Sequence, residues 1–414
     1  MFGFANFLLL ALFAAAVFDL IFALARGGGL RGALHGLWNT PHLLFGQQLA
    51  EWRLQLGRIL FAAGLAAYEI SVVFCNSMAR QNWAWVQGVM SPVLEWLAFL
   101  CFGAKILFGT RYTWRELLAG GALYFIARWV YFNSQNIWWI GIVVAVLAAK
   151  DVPLRRPLQV YFASGCAAMA VVLALHFAGI VAPDLTSERM GALRGTYGYG
   201  HPNTFGGLGF GLGLAYALLR AQKVRWVDCL LVFAVGVFLL VGPASRSAAL
   251  CTLALAVGLV FCRLRAGHSV PRWWPGTCAG MVGLTAAVSY LLPLLVIKVG
   301  PWNNDIGPAW LAKLDSLLTC RISLTWMAYR LLDVKIAGQV FNWPTVDNSF
   351  AFALFQFGPV VAALLGILFA AALWGHAKQG RRVEVCCLFA MLAYAYMEVQ
   401  PFHLTTNPTA LLLC

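Results

Sequence analysis

The chain has 414 residues, of which 62% are hydrophobic and 11% charged, and its mean hydropathy is +0.78. A soluble domain carries about a quarter charged residues, so this composition excludes a globule wetted all round and indicates an integral membrane protein, read as one membrane domain over 1–414. The net charge of +14 sits in short loops between apolar runs, and no nucleic-acid motif is present, so nucleic acid is not an expected partner.

Apolar runs suited to crossing a bilayer occur near 4–25, 58–76, 92–109, 117–133, 136–149, 158–181, 202–220, 226–243, 246–262, 276–297, 349–374 and 384–402. A span takes about 20 mainly apolar residues, so they predict an all-α bundle of about twelve transmembrane helices. The first run, FANFLLLALFAAAVFDLIFALAR, has no basic start and no small-residue cleavage site after it, and is expected to be a retained helix. The fourth and fifth runs are short, with FNSQN as the turn between them.

Basic clusters at ARGGGLRG, GTRYTWRE, KDVPLRRP, RAQKVRW, RLRAGHSVPR and HAKQGRR fall in every second loop. Alternation of this kind assigns those loops to the cytoplasm and both chain ends to the exterior. TNPTALLLC, at the C-terminal end, is apolar enough to fold back into the membrane. Two loops on the external side are long, 182–201 and 298–348, and are expected to carry the site. In the second, WLAKLDSLLTCRISLTWMAYRLLDVKI repeats its apolar residues every three to four positions, as one or two amphipathic helices do. No internal repeat is evident, which weighs against the duplicated transporter architectures. The eleven cysteines are scattered without a CxxC pair or a His/Cys cluster, and are read as small buried hydrophobes.

External loops should be poor in Arg, so the exceptions are informative. Arg189 and Arg194 precede the seventh run, Arg246 sits in GPASRSAAL almost without a loop, and Arg321 and Arg330 lie in the long loop. Guanidinium offers a planar fork of donors that matches phosphoryl oxygens, so these residues suit a phosphate or diphosphate. In RGTYGYGHPNTFGGLGF, Asn203 or Thr204 is expected to cap a helix starting near Pro202. Its N-terminus offers N–H groups to an anion, and His201 suits donation to phosphate or handling of a hydroxyl proton. Gly207/Gly211 and Gly209/Gly213 have the spacing of close helix packing. Asp347 and Asn348 open the eleventh run, as caps or, for Asp347, to orient Arg321 or bind sugar hydroxyls. Glu398 lies in an apolar run, where a carboxylate is costly unless paired, with His403 and Asn407 beyond it. Either carboxylate suits the role of base toward a hydroxyl, and spacing does not choose between them.

In order along the chain, Arg194 followed by GYGHPNTFG, GPASRSA, LDSLLTCRISL, VDNSF and YMEVQPFHLTTN resembles the Wzy-type bacterial polysaccharide repeat-unit polymerases, which share a superfamily with the O-antigen ligases. The resemblance covers roughly 185–410, and the N-terminal half is similar only in being a run of spans. Cys320 departs from the pattern, which often has Gly or Ser before the loop arginine. The resemblance implies a metal-independent glycosyltransferase with no cofactor, in the bacterial cytoplasmic membrane, acting at its outer face. Its donor and acceptor would be oligosaccharide repeats on undecaprenyl diphosphate. Its other partners would be membrane lipids, a flippase and a chain-length regulator. Arg194 and Arg321 would grip the diphosphate with Arg246 in support, and His201, Asp347 and Glu398 would complete the catalytic pocket. Tyr199, Asn203, Arg330, Asn348 and His403 would bind substrate. Trp302, Trp310 and Trp343 would stack on sugars or anchor the loop at the interface. The alternatives are a ligase that hands glycan to a different acceptor, and a lipid-linked oligosaccharide flippase, for which Asp19, Glu69 and Arg128 are the embedded charged candidates.

Overall fold

The computed structural model describes residues 2–25, 29–46, 49–181, 187–189, 192–297 and 307–413. About 76% of it is helical, with almost no sheet among the described residues. Helices satisfy backbone N–H and C=O groups within one segment, which apolar surroundings require. Six helical segments are long and apolar enough to cross a membrane: Ala50–Cys75, Val86–Phe108, Arg155–Phe177, Arg246–Leu264, Trp274–Leu295 and Pro359–Lys378. They mark a membrane-embedded protein. Leu10–Ala25, Trp138–Ala149 and Trp226–Val241 are apolar helices of lesser length.

One compact unit takes in residues 1–128 and 140–183. It contains α1 (Phe2–Ala25), α2 (Gly29–Asn39), strand β1 (His42–Leu43), α3 (Ala50–Cys75), α4 (Ala79–Asn82), a π-turn at Val86–Met90 running into α5 (Ser91–Phe108), and strand β2 (Arg111–Tyr112) antiparallel to β1. Next come α6 (Trp114–Ser134) and α7 (Trp138–Ala149), whose facing ends belong to the second unit, and α8 (Arg155–Phe177). Helices α3 and α5 cross where Gly57 meets Gly109. A Cβ on Gly57 would stand 2.8 Å from the Gly109 Cα, so a side chain there would force the helices apart. Arg53 donates to the carbonyls of Leu44, Gly46 and Phe108 at 2.6, 2.7 and 2.9 Å, which ties the β1 turn to α3. Asp19 faces His42 at 3.5 Å. Glu69 is 1% exposed and makes no hydrogen bond or ion pair with any described residue.

The second unit takes in 129–139 and 184–413. It holds the antiparallel pair β3 (Ser187–Arg189) and β4 (Ala192–Arg194), then α9 (Pro202–Leu219), α10 (Trp226–Val241), α11 (Arg246–Leu264) and α12 (Trp274–Leu291), which tightens into a 3-10 turn at Leu292–Leu295. The long loop, described from residue 307, folds into α13 (Ala309–Leu317) and α14 (Arg321–Leu331). Val296, Leu311 and Ile322 form a buried cluster that seats both helices, as their apolar periodicity predicts.

The eleventh run is not one helix. It comprises α15 (Ser349–Phe352), a π-turn at Ala353–Phe357, a break at Gly358 and then α16 (Pro359–Lys378). Gly358 has φ 86°, a conformation glycine adopts freely, and Pro359 restarts the helix as its first residue. A Cβ on Gly358 would collide with the Ile336 carbonyl, so the break is also where the loop backbone packs. The last helix, α17 (Arg382–Met397), stops short of the predicted 402, and 3-10 turns at Gln400–Phe402 and Pro408–Leu413 follow. The final turn folds back, buried, against α9, α16 and α17.

Candidate functional site

The centre is Glu398, and proline explains why it is presented there. An N–H at residue 401 would continue α17 by bonding the Met397 carbonyl. Pro401 has no N–H, and its ring clashes with the carbonyl four residues back. Glu398 accordingly leaves the helix in an extended conformation, φ −144° and ψ 152°. The carbonyls freed at the break find side chains instead. Arg321 Nε donates to the Met397 carbonyl, and Ser349 Oγ donates to that of Glu398 at 2.5 Å.

Three donors converge on Glu398 Oε1: Ser247 Oγ at 2.5 Å, an Arg321 guanidinium nitrogen at 2.6 Å and Asn203 Nδ2 at 3.1 Å. Glu398 is 4% exposed and Arg321 8%, so this is a buried ion pair with charge-assisted hydrogen bonds. Oε2 takes no hydrogen bond from any described residue. Asn203 extends the chain, since its Oδ1 accepts from the Arg194 guanidinium at 2.9 Å and from Ser245 Oγ at 3.4 Å. Arg194 donates from the same nitrogen to the Ala244 carbonyl at 3.2 Å. Both guanidinium groups thus converge on one hydrogen-bonded network within one unit.

The cap of α9 differs from expectation. His201 is the N-cap, and its Nδ1 accepts from the Asn203 N–H at 3.1 Å, so neither Asn203 nor Thr204 caps with its side chain. Relieved of capping, the Asn203 amide bridges Arg194 and Glu398. The glycine-rich face of α9 makes room for the network. A Cβ on Gly206 would collide with Ser245, and one on Gly207 with Gln400. Gln400 Nε2 donates to the Asn203 carbonyl at 3.1 Å while Gln400 Oε1 accepts from Tyr394 at 2.8 Å. The closest contacts are at Gly206 and Gly207, and a Cβ on Gly209 would stand 3.1 Å from the Leu239 side chain, also tight, while Gly213 approaches Thr252 only at ordinary contact distance.

In the GPASRSAAL turn the serines reach inward. Arg246, first residue of α11, is exposed and makes no hydrogen bond or ion pair with any described residue. Successive helical residues point about 100° apart, so the geometry that aims Ser247 at Glu398 turns Arg246 away.

Arg321 is held by the loop itself. Thr319 and Cys320 have φ 61° and 63°, and this left-handed corner turns α13 into α14. Asp315, fully buried, closes the corner. Its Oδ1 accepts from the N–H groups of Ile322 and Ser323 at 2.8 and 3.1 Å, and Oδ2 from Ser323 Oγ at 2.8 Å. Arg321 also donates to the Leu318 carbonyl at 2.8 Å. Of its five N–H groups, two have no partner among the described residues.

The other predicted residues lie around this core or apart from it. Asp347 is half-buried, near enough for its charge to act on Glu398, and makes no hydrogen bond or ion pair with any described residue. The carboxylate that orients Arg321 is Glu398. Asn348 is committed to capping α15, with Oδ1 accepting from Phe350 and Ala351 at 2.9 and 3.1 Å and Nδ2 donating to Ser289 at 3.0 Å. Tyr199 is fully buried against Phe205. Arg330 is exposed over the Trp326 ring at 5.5 Å. His403 packs on Trp138 with ring centroids 3.9 Å apart, and burial pushes its imidazole down to about 4, which keeps it neutral near pH 7. Asn407 donates to the Pro401 carbonyl at 3.0 Å. Trp310 and Trp343 are exposed. Trp302 and the side chain of Arg189 fall outside the described residues.

Ser245, Ser247, Asp315 and Gln400 were missed at the level of sequence. Serine in a turn and aspartate on an amphipathic helix are common, and only their distant partners distinguish them. Compared with known proteins, the chain matches no family model, no curated protein and no solved structure.

Proposed function

We propose that this chain is a Wzy-type repeat-unit polymerase of a bacterial cytoplasmic membrane, a bundle of about twelve spans with its site on the outer face. The observation that carries the reading is the hydrogen-bonded chain Arg194–Asn203–Glu398–Arg321, with Ser247 completing it. Four distant parts of the sequence supply these residues, and they are those whose motifs resemble the family.

The substrates are two undecaprenyl-diphosphate-linked oligosaccharides. Arg321 offers its two remaining N–H groups to the donor's diphosphate, with Arg194 beside it. The acceptor's sugar hydroxyl attacks the anomeric carbon of the donor. The bond from that carbon to the diphosphate oxygen breaks, and undecaprenyl diphosphate leaves with the electron pair. Glu398 Oε2 takes the hydroxyl proton, while the three donors on Oε1 hold the carboxylate in place. Fixed guanidinium groups stabilise the charge that develops on the leaving diphosphate. His201 and Asp347 flank this core, where they contact sugar or phosphate.

The test is reconstitution of purified protein with lipid-linked repeats from the bacterium that encodes it. A ladder of lengthened lipid-linked glycans and released undecaprenyl diphosphate is expected, with Arg321→Ala lowering the rate on the order of 10²-fold or more. Transfer solely to a different acceptor, or donor binding without product, overturns the polymerase reading.

A further inference from the structure

At the ends of α11 and α17 opposite to Ser247 and Glu398, two thiols face each other. Cys262 and Cys386 have their Sγ atoms 3.4 Å apart. Both are free. Cys262 is buried and Cys386 half-buried. The residues between them and the network span roughly 22 Å along α11 and roughly 18 Å along α17, so the pair takes no part in the site already described.

Two features hold the sulfurs together. Arg382, first residue of α17, donates to the carbonyls of Arg265 and His268 just past α11, pinning the end of one helix to the start of the other. One turn before Cys262, Gly258 leaves space for Cys386. A Cβ there would stand 3.2 Å from the Cys386 Sγ, tighter than side chains normally pack. A disulfide needs its sulfurs at about 2.05 Å, so forming it closes the present 3.4 Å separation by roughly 1.4 Å.

We propose that Cys262 and Cys386 form an oxidisable dithiol, a modification site that links α11 covalently to α17. The oxidant is a small peroxide. Cys386, the more accessible thiol, attacks the peroxide oxygen and becomes a sulfenic acid, with release of one water. Cys262 then attacks that sulfur, the S–O bond breaks, and the second water leaves as the disulfide forms. Two thiols and one peroxide are consumed. The proposal does not depend on the reaction class of the Glu398 site.

Full-length protein in detergent is titrated with hydrogen peroxide, denatured, labelled with a polymer-linked maleimide and, in parallel, digested without reductant for mass spectrometry. The expected result is loss of two labelling steps, a linked peptide pair containing Cys262 and Cys386, and return of both steps with dithiothreitol. Cys386→Ser and Cys262→Ala should each abolish the peroxide-dependent loss, while Cys101→Ser should keep it. The proposal is overturned if all steps survive peroxide, if Cys386 goes on to sulfinic acid unlinked, or if the link joins Cys229 or a second copy of the chain.

Discussion

Glu69 and Glu398 are both buried glutamates in apolar helical surroundings, 1% and 4% exposed. Glu398 receives a serine, an asparagine and an arginine on one oxygen, and that arginine is itself held by two backbone carbonyls. Glu69, in the other unit, has no hydrogen-bond partner among the described residues. Burial alone therefore does not mark a site. What distinguishes Glu398 is a helix that ends beneath it, which frees carbonyls and directs the carboxylate toward donors from three other segments.

The comparison breaks most sharply at the ion pair. Glu398→Ala strands a buried guanidinium, and a cost of about 3–5 kcal/mol is expected. It should appear as a lowered midpoint in thermal unfolding in detergent, with loss of surface glycan chain length on the proposed polymerase reading. Replacing both partners, Arg321→Met with Glu398→Leu, should recover much of that stability and none of the activity. If the double variant is as unstable as the single one, the pair is not the element that couples them. Gly207→Ala comes next, since its Cβ must displace Gln400 from Asn203 and Tyr394. A loss of about 1–3 kcal/mol is expected, with Gly213→Ala as the near-neutral control. Ser247→Ala removes one donor to a charged acceptor, at about 1.5–3 kcal/mol. On the proposed polymerase reading glycan chain length should fall with it, whereas Arg246→Ala should leave stability within about 0.5 kcal/mol. Equal effects at these two positions would reverse the assignment of inward and outward residues in the turn. The smallest effect is expected at Glu69→Gln, which keeps shape and removes no partner. A shift within about 1 kcal/mol would sharpen the contrast, and a collapse like that of Glu398→Ala would erase it.

Particular residues show which kinds of information were legible. Arg194, Asn203, Arg321 and Glu398 stood out because charge and amide groups are rare in this composition, and they meet in one network. Arg246 stood out for the same reason but points outward, because rarity carries no direction. Asn348 suits both cap and ligand by position, and its side chain is used up by capping α15 and by donating to Ser289. The cysteines look like small hydrophobes in sequence, and the Cys262–Cys386 contact across 124 positions has no local signal.

The amino-acid sequence by itself determined that the chain is helical and membrane-embedded, because apolar length and scarcity of charge act locally and need no partner. The stops at Pro401 and Gly358-Pro359 are local as well, since each acts on its own backbone, yet the apolar runs 384–402 and 349–374 continue through them and predict no break. Only the tertiary structure decided which side chains answer the groups those breaks expose. Ser247 and Asp315 matter through partners that other segments bring within 3 Å, and hydrogen bonds of that reach depend on how helices pack, a property no local pattern encodes.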